Sequence, residues 1–454
     1  MRAKPKSYRK RDVNAATEVR EIVTPLNKLS ALESVERTAT GAVSCEQVAR
    51  DCLARVEARE PVVKAWSFLD PDLVLHQARS LDARTTRGPL HGVPVGVKDI
   101  IDTADMPTQM GSPIYRGNRT LSDAACVALL RAAGALIFGK TVTCEFAGPT
   151  AGITTNPHNA ARTPGGSSSG SGAAVADFMV PFGFGTQTGG SVQRPSSFCG
   201  IVGYKPSFGL INPQGVKPAA VSLDTVGLMV RTVEDAALFM RVLTNSEPVQ
   251  WLSGDTTVRI GLCRTYAWND AEDATRNAVE DAARRLEKAG FSVRDVELPS
   301  PCGELPKTRE IINDFERARG MAWEWNTHPA QISEALAKSI RNGLAMPRAR
   351  YIEALERVAL CRQRAAGLFA DVDVLLTPTA NGEAPLGLAN TGDHRLQSIW
   401  TQLRTPAVSL PTHSGPNGMP VGIQLIGPHY GDDRLLAMAQ RVFAMLGHGP
   451  QIEV

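Results

Sequence analysis

Hydrophobic and polar positions change period repeatedly along the chain, from the period of two typical of strands to the helical period near 3.6. Val93, Val95 and Val97 alternate with other residues, as the side chains on one face of a strand do. Ser44 and Gln47 form a capping-box pattern ahead of a run whose apolar residues share one helical face. The patterns predict strands at residues 62–69, 90–99, 135–140, 180–185, 199–206, 257–263, 291–298, 372–379 and 420–427. They predict helices at residues 44–56, 71–84, 122–133, 173–176, 233–243, 271–290 and 432–446. Strands and helices that alternate in this way predict an α/β fold with a largely central sheet.

Residues 304–371 differ, because three long helical stretches follow one another there. We interpret this segment as a helical insertion beside the sheet, placed where it can form a wall of a substrate pocket. The chain is therefore predicted to contain an N-terminal arm and lead-in over residues 1–40 and a single domain over residues 41–454.

Composition narrows the class of protein. The 454 residues are 43% hydrophobic and 21% charged, which is ordinary for a soluble globular protein. A net charge of +3 is too small to argue for nucleic acid or a membrane as partner. No apolar segment follows the basic N-terminus as a secretory signal would require, so we expect a cytoplasmic protein. The eight cysteines and eight histidines lack Cys-x-x-Cys and His-x-x-x-His spacing, and we therefore expect no disulfide framework and no metal.

Residues 162–207 contain the most distinctive chemistry of the chain. Two glycine pairs occur there, and each is followed directly by a serine, Ser167 and Ser191. Glycine is used where the backbone takes positive φ or approaches another group closely, so both hydroxyls are predicted to lie in unusual backbone settings. A flexible linker fits poorly, because a helix and a strand are predicted immediately afterwards. A phosphate-binding loop lacks its Lys-Ser or Lys-Thr, and the Gly-x-Ser-x-Gly match centred on Ser168 lacks the strand that should precede it.

Lys98 closes the predicted strand at residues 90–99 and is followed by Asp99, Ile100 and Ile101. A lysine at the end of an apolar strand often extends its ammonium group to solvent. Alternatively, burial can lower the lysine pKa until the neutral amine acts as a base. These residues alone leave both interpretations open.

Lys98 and the two Gly-Gly-Ser motifs together resemble the amidase signature family. The resemblance extends from about residue 40 to the end and includes Thr377, Pro378 and the stretch at residues 420–427. It implies an α/β/α sandwich around a twisted, mixed β-sheet. It also implies hydrolysis of carboxylic amides, and in some members of esters, ureas or carbamates, with no metal and no cofactor.

The resemblance assigns a catalytic triad to Lys98, Ser167 and Ser191. Neutral Lys98 would accept a proton from Ser167, the cis-serine of the family, which would in turn accept one from the nucleophile Ser191. The backbone N–H groups of Thr188, Gly189, Gly190 and Ser191 are predicted to form the oxyanion hole.

Two positions depart from the common family pattern. Gln187 stands where the family commonly has Asp, and Gln193 stands where it commonly has Arg, with Arg194 one residue later. This version is similar to malonamidase-type members, in which the arginine holds a substrate carboxylate. Arg194 is therefore a candidate substrate-binding residue, and the competing interpretation is that it pairs internally with an acidic residue or backbone carbonyls.

The leading functional hypothesis is a stand-alone amidohydrolase that acts on a small-molecule amide, with a homodimer suggested by family analogy. The alternative is the amidotransferase A-type subunit, which acts on aminoacyl-tRNA together with partner subunits. The modest charge argues against that alternative, and a non-catalytic scaffold conflicts with the intact Lys98, Ser167 and Ser191.

Overall fold

A single mixed β-sheet forms the centre of the computed structural model, which describes residues 25–254 and 256–452. The described residues form eleven strands: β1 Trp66–Phe68, β2 Pro94–Lys98, β3 Leu136–Thr141, β4 Phe182–Gln187, β5 Val202–Lys205, β6 Thr225–Val230, β7 Arg259–Leu262, β8 Ser292–Asp295, β9 Val374–Pro378, β10 Ala407–Ser414 and β11 Pro420–Ile426. Their order across the sheet is β1-β3-β2-β4-β6-β5-β10-β11-β9-β7-β8. Strand β2 is parallel to both β3 and β4, whereas β4, β6, β5, β10, β11 and β9 pair antiparallel in succession.

Fourteen α-helices surround this sheet within the described ranges: α1 Ala31–Ala39, α2 Cys45–Val63, α3 Pro71–Asp82, α4 Ala125–Ala132, α5 Ser169–Ala176, α6 Gln193–Cys199, α7 Val233–Thr244, α8 Asp273–Lys288, α9 Leu305–Gly320, α10 Ala322–Thr327, α11 Glu334–Ala345, α12 Arg348–Ala365, α13 Arg395–Gln402 and α14 Asp432–Leu446. The capping box at Ser44 is present and begins α2. Helices α9 to α12 lie in sequence between strands β8 and β9.

Helices cover both faces of the sheet, which confirms the predicted α/β/α architecture. On one face, Phe182 and Phe184 of β4 belong to a core shared with α4, α7, α8 and α14, and Phe182 stacks on Phe239 of α7. On the other face, a Cβ added to Gly183 would lie 3.0 Å from the Cβ of Ser171 in α5. The glycines of β4 therefore allow α5 to approach the sheet closely, next to the two serine motifs.

The predicted strand at residues 62–69 is wrong in its first half. Helix α2 continues to Val63, and Lys64 ends it in the left-handed conformation with φ 55°. Only Trp66–Phe68 forms a strand, β1, which pairs with β3 at the end of the sheet. Of the predicted N-terminal arm, residues 1–24 lie outside the described residues.

Candidate active site

Lys98 is the last residue of β2 and is fully buried. Its Nζ lies 2.8 Å from Ser167 Oγ and 2.7 Å from Thr186 Oγ1. Burial lowers the pKa of Lys98 from 10.5 to about 7, which Cys144 and Asp224 oppose only in part. The amine is therefore poised to exchange a proton near neutral pH, and it does not reach solvent as a surface lysine would.

Ser167 precedes α5 and is 2% exposed. The Gly166–Ser167 peptide bond is cis, and the carbonyl of Ser167 accepts a hydrogen bond from Cys144 N at 3.1 Å. The serine hydroxyl is thus held between the lysine amine and a cavity that Ser191 also lines.

Ser191 lies in the short loop between β4 and α6 and is partly exposed. Strands β2 and β4 are parallel neighbours, so their carboxyl ends bring Lys98 and this loop to the same edge of the sheet. Within the described residues, the backbone N–H groups of Gly189, Gly190 and Ser191 donate no hydrogen bond. These donors are available to a developing oxyanion in the cavity.

The two glycines before Ser191 are required by close packing. A Cβ on Gly190 would lie 2.4 Å from Gln397 Oε1, and one on Gly189 would lie 2.8 Å from His394 Cδ2. Larger residues would push the loop away from α13 and displace the N–H groups.

Gln187 retains the acceptor function of a carboxylate without the charge. Its Oε1 accepts from Val192 N at 3.0 Å and from Gln193 N at 3.1 Å, and its Nε2 donates to Thr401 Oγ1 at 3.0 Å. Thr401 Oγ1 in turn donates to Gly189 O at 2.9 Å. Gln187 therefore fixes the loop that carries Ser191, and the departure from Asp leaves this loop supported.

Asp224 is a site residue that the sequence analysis missed. Its carboxylate accepts from the Thr188 hydroxyl and from the backbone N–H groups of Ala219 and Ala220. It also favours the charged form of Lys98. Asp224 has no motif around it that would have revealed this role.

Arg194 is 5% exposed and also lines the cavity. Its Nη2 donates to Gly166 O at 2.6 Å and to Thr391 Oγ1 at 2.8 Å, and burial lowers its pKa to about 10. One guanidinium nitrogen of Arg194 thus pairs internally with a backbone carbonyl. This is the alternative to substrate binding that the sequence left open. Gln193 faces the sheet, where its Nε2 donates to Ala407 O at 2.7 Å.

Ser168, the centre of the rejected Gly-x-Ser-x-Gly match, is fully buried. Its hydroxyl bonds to the backbone of Thr186, accepting at 3.2 Å and donating at 3.4 Å. The hydroxyl is therefore committed to joining α5 to β4.

A cavity of about 380 Å³ adjoins Ser167 and Ser191. Ser167, Ser191 and Arg194 line it together with α9 and α11, which contribute Arg309, Arg317 and Lys338. A larger cavity of about 820 Å³ lies elsewhere, and neither Ser167 nor Ser191 is part of its lining.

Within the described ranges, no cluster of histidine, cysteine, aspartate or glutamate is arranged to hold a metal ion. No helix there combines the length and hydropathy needed to cross a bilayer.

Comparison with known proteins shows the family of the chain and supports its fold. The Amidase family model matches residues 47–436. The A subunit of the glutamyl-tRNA(Gln) amidotransferase from Chloroflexus aggregans is 33% identical, over 91% of this chain and 96% of the relative. The corresponding protein from Carboxydothermus hydrogenoformans is 32% identical, over 90% of this chain and 96% of the relative.

Solved structures agree. A crystal structure of an amidase superposes with a TM-score of 0.85 at 29% identity, covering 92% of this chain and all of the other. The peptide amidase from Stenotrophomonas maltophilia gives a TM-score of 0.82 at 27% identity, covering 94% and 99%. The fold and site thus define an enzyme that acts on carbon–nitrogen bonds. The chain belongs to the Amidase family, the amidase signature enzymes.

Proposed function

We propose that this enzyme hydrolyses carboxylic amides through an acyl-enzyme on Ser191. The observation that carries the proposal is the contact of 2.8 Å between Ser167 Oγ and the buried amine of Lys98, whose pKa is about 7. A weak hydroxyl nucleophile needs such a base nearby, and Ser167 and Ser191 line the same cavity.

The steps follow from this arrangement. Ser191 Oγ attacks the amide carbon while its proton passes to Ser167, and the proton of Ser167 passes to neutral Lys98. The N–H groups of Thr188, Gly189, Gly190 and Ser191 stabilise the oxyanion. The relay then returns a proton to the nitrogen as the C–N bond breaks, and a water molecule releases the acid from Ser191.

Arg194 is proposed to contact the substrate as well. Its Nη2 is occupied by Gly166 O and Thr391, but Nη1 forms no hydrogen bond within the described residues. A guanidinium that is oriented by one nitrogen can offer another to a carbonyl or carboxylate.

A second candidate is suggested by the curated relatives, which belong to glutamyl-tRNA(Gln) amidotransferases. In that role the same relay would act with partner subunits on aminoacyl-tRNA. Release of ammonia from a simple amide by the purified chain alone would favour the hydrolase, whereas activity that depends on partner subunits, ATP and tRNA would favour the amidotransferase.

We also propose that the protein is cytoplasmic. Its eight buried cysteines, which form no disulfides, support this proposal.

Covalent labelling tests the nucleophile. A fluorophosphonate should label Ser191 stoichiometrically, and peptide mass spectrometry should find no label on Ser168. The Ser191→Ala variant is the matched control, because it should fold and remain unlabelled. Labelling of Ser168, or undiminished labelling of Ser191→Ala, would contradict the assignment.

A further inference from the structure

The cavity beside Ser191 has an unusual balance of charge. Its lining contains four cationic side chains, Arg194, Arg309, Arg317 and Lys338, but a single carboxylate, Asp314. A small cavity with this lining has a positive potential, which concentrates anions.

Arg317 is the most deeply placed of these cations outside the catalytic loops. It is 3% exposed, and its Nη2 donates to Asn313 Oδ1 at 3.2 Å. Its Nε and Nη1 are buried and have no hydrogen-bond partner within the described residues. Burial lowers the pKa of Arg317, although Asp224, Asp314 and Glu145 favour its charged form.

Arg309 lies on the side of the cavity that is nearer to the catalytic loop. A Cβ built on Gly189 would lie 3.2 Å from Arg309 Nη2, so this guanidinium adjoins the oxyanion loop. The Nε of Arg309 is buried without a partner, and no described residue forms a hydrogen bond or an ion pair with the Arg309 side chain. Burial and the neighbouring charge of Arg317 lower the pKa of Arg309 to about 10.

The nearby carboxylates do not satisfy these guanidinium groups. Asp314 accepts from Asn313, Ser339 and Asn342, and Asp224 accepts from the Thr188 hydroxyl and two backbone N–H groups. Glu145 accepts from the backbone N–H of Ser333. Each of these carboxylates therefore forms its hydrogen bonds with groups other than the two arginines.

His394 does not add a further charge to this wall. The charge of Arg309, together with burial, lowers its pKa to about 2, so the imidazole stays neutral over the working pH range. The unpaired charge therefore resides on the arginines. A buried charge without a partner is costly, and a bound anion removes that cost.

We propose that Arg309 and Arg317 form a subsite for a carboxylate carried by the substrate. The inference rests on the proposed amide hydrolysis and specifies its substrate class: small amides that bear a carboxylate close to the scissile bond. The carboxylate accepts hydrogen bonds from the unpartnered guanidinium nitrogens while the amide carbon lies at Ser191. The cavity of about 380 Å³ restricts such substrates to small molecules.

The carboxylate can belong to the acyl part or to the leaving amine. Succinamate represents the first source and N-acetylglycine the second. Their neutral counterparts of similar shape are 4-methylpentanamide and N-isobutylacetamide. Binding of all four is measured by titration calorimetry to the full-length Ser191→Ala variant, which binds without turnover.

The proposal predicts that at least one anion binds about tenfold or more tightly than its neutral counterpart. Adding Arg309→Gln or Arg317→Gln should abolish that preference and leave neutral binding within about twofold. Lys307→Gln on the same helix is the matched control, because this exposed residue is not part of the cavity lining. It removes the same charge and should preserve the preference.

Equal binding of anionic and neutral ligands, or a preference that survives both arginine substitutions, would overturn the subsite. Arg309 is only half-buried, so Arg309→Gln keeps the test decisive if Arg317→Gln fails to fold. Binding does not depend on catalysis. A protein that prefers succinamate but is not labelled at Ser191 would therefore refute the hydrolase and retain the subsite.

Discussion

Replacing Lys98 by methionine is expected to change two quantities with different dependence on pH. The first is kcat/KM, which should fall by about 10³-fold because the relay loses its base. In the unsubstituted enzyme, kcat/KM should rise with pH through about 7, where the pKa of Lys98 lies, since only the neutral amine accepts the proton.

The second quantity is the free energy of unfolding. The pKa of Lys98 is depressed from 10.5 to about 7 in the folded protein. Above the unfolded pKa the lysine is neutral in both states, so the folded protein keeps its full stability. Stability is lost as the pH falls through the folded pKa, because the unfolded chain binds the proton more tightly. Proton linkage gives a destabilisation from Lys98 of about 3 kcal/mol near pH 8 and about 1 kcal/mol near pH 10. The stability of Lys98→Met relative to the unsubstituted protein should therefore decrease by about 2 kcal/mol between these pH values.

Urea unfolding at both pH values measures this difference, and Lys205→Met provides the matched control. Lys205 is equally buried, its pKa is also lowered to about 7 by burial, and its Nζ donates to Pro206 O at 2.9 Å. Its replacement should produce a similar change of stability with pH but leave the pH profile of kcat/KM intact. A stability difference for Lys98→Met that is constant between the two pH values would refute the lowered pKa. Near-normal turnover would refute the relay.

Two further substitutions test the packing of the loop before Ser191 and the ion pairs that join α2 to the end of α5. Gly190→Ala should lower kcat/KM by about 10²-fold, because its Cβ would lie 2.4 Å from Gln397 Oε1 and displace an oxyanion donor. Gly303→Ala is the control: its Cβ would meet no atom within 4 Å, so kcat/KM should be unchanged in the same assay. Asp177→Ala should lower the free energy of unfolding by about 3 kcal/mol in urea titrations, because this buried carboxylate pairs with two arginines of α2. An unchanged urea midpoint of unfolding would show that these ion pairs contribute little to stability.

The proposed triad could be predicted from the sequence because the two serine motifs are local signals, and their combination with Lys98 resembles a known family. Each serine follows its glycine pair directly, and Lys98 closes a strand of alternating valines. Arg309 and Arg317 gave no such signal. The helical pattern of residues 304–371 predicts helices there, but which of their charged side chains faces the cavity depends on how α9 packs against loops far away in sequence.

Two strands were missed for different physical reasons. Strand β6, Thr225–Val230, is buried at every position and forms a short apolar run, which periodicity alone does not distinguish from a buried helical segment. Strand β10, Ala407–Ser414, contains Pro411, and its register against β11 shifts between Leu410 and His413. Proline at such an irregularity interrupts the pattern by which a strand is recognised.

The position of α9 between β8 and β9 has a consequence for how this enzyme can evolve. The proposed proton relay belongs to the ends of β2 and β4 and their loops, whereas Arg309 and Arg317 belong to α9. Substitutions in residues 305–345 can therefore alter preference among amides while the residues of the proposed relay stay unchanged. A variant library restricted to that segment should diversify substrate preference and still retain fluorophosphonate labelling of Ser191 in most folded members.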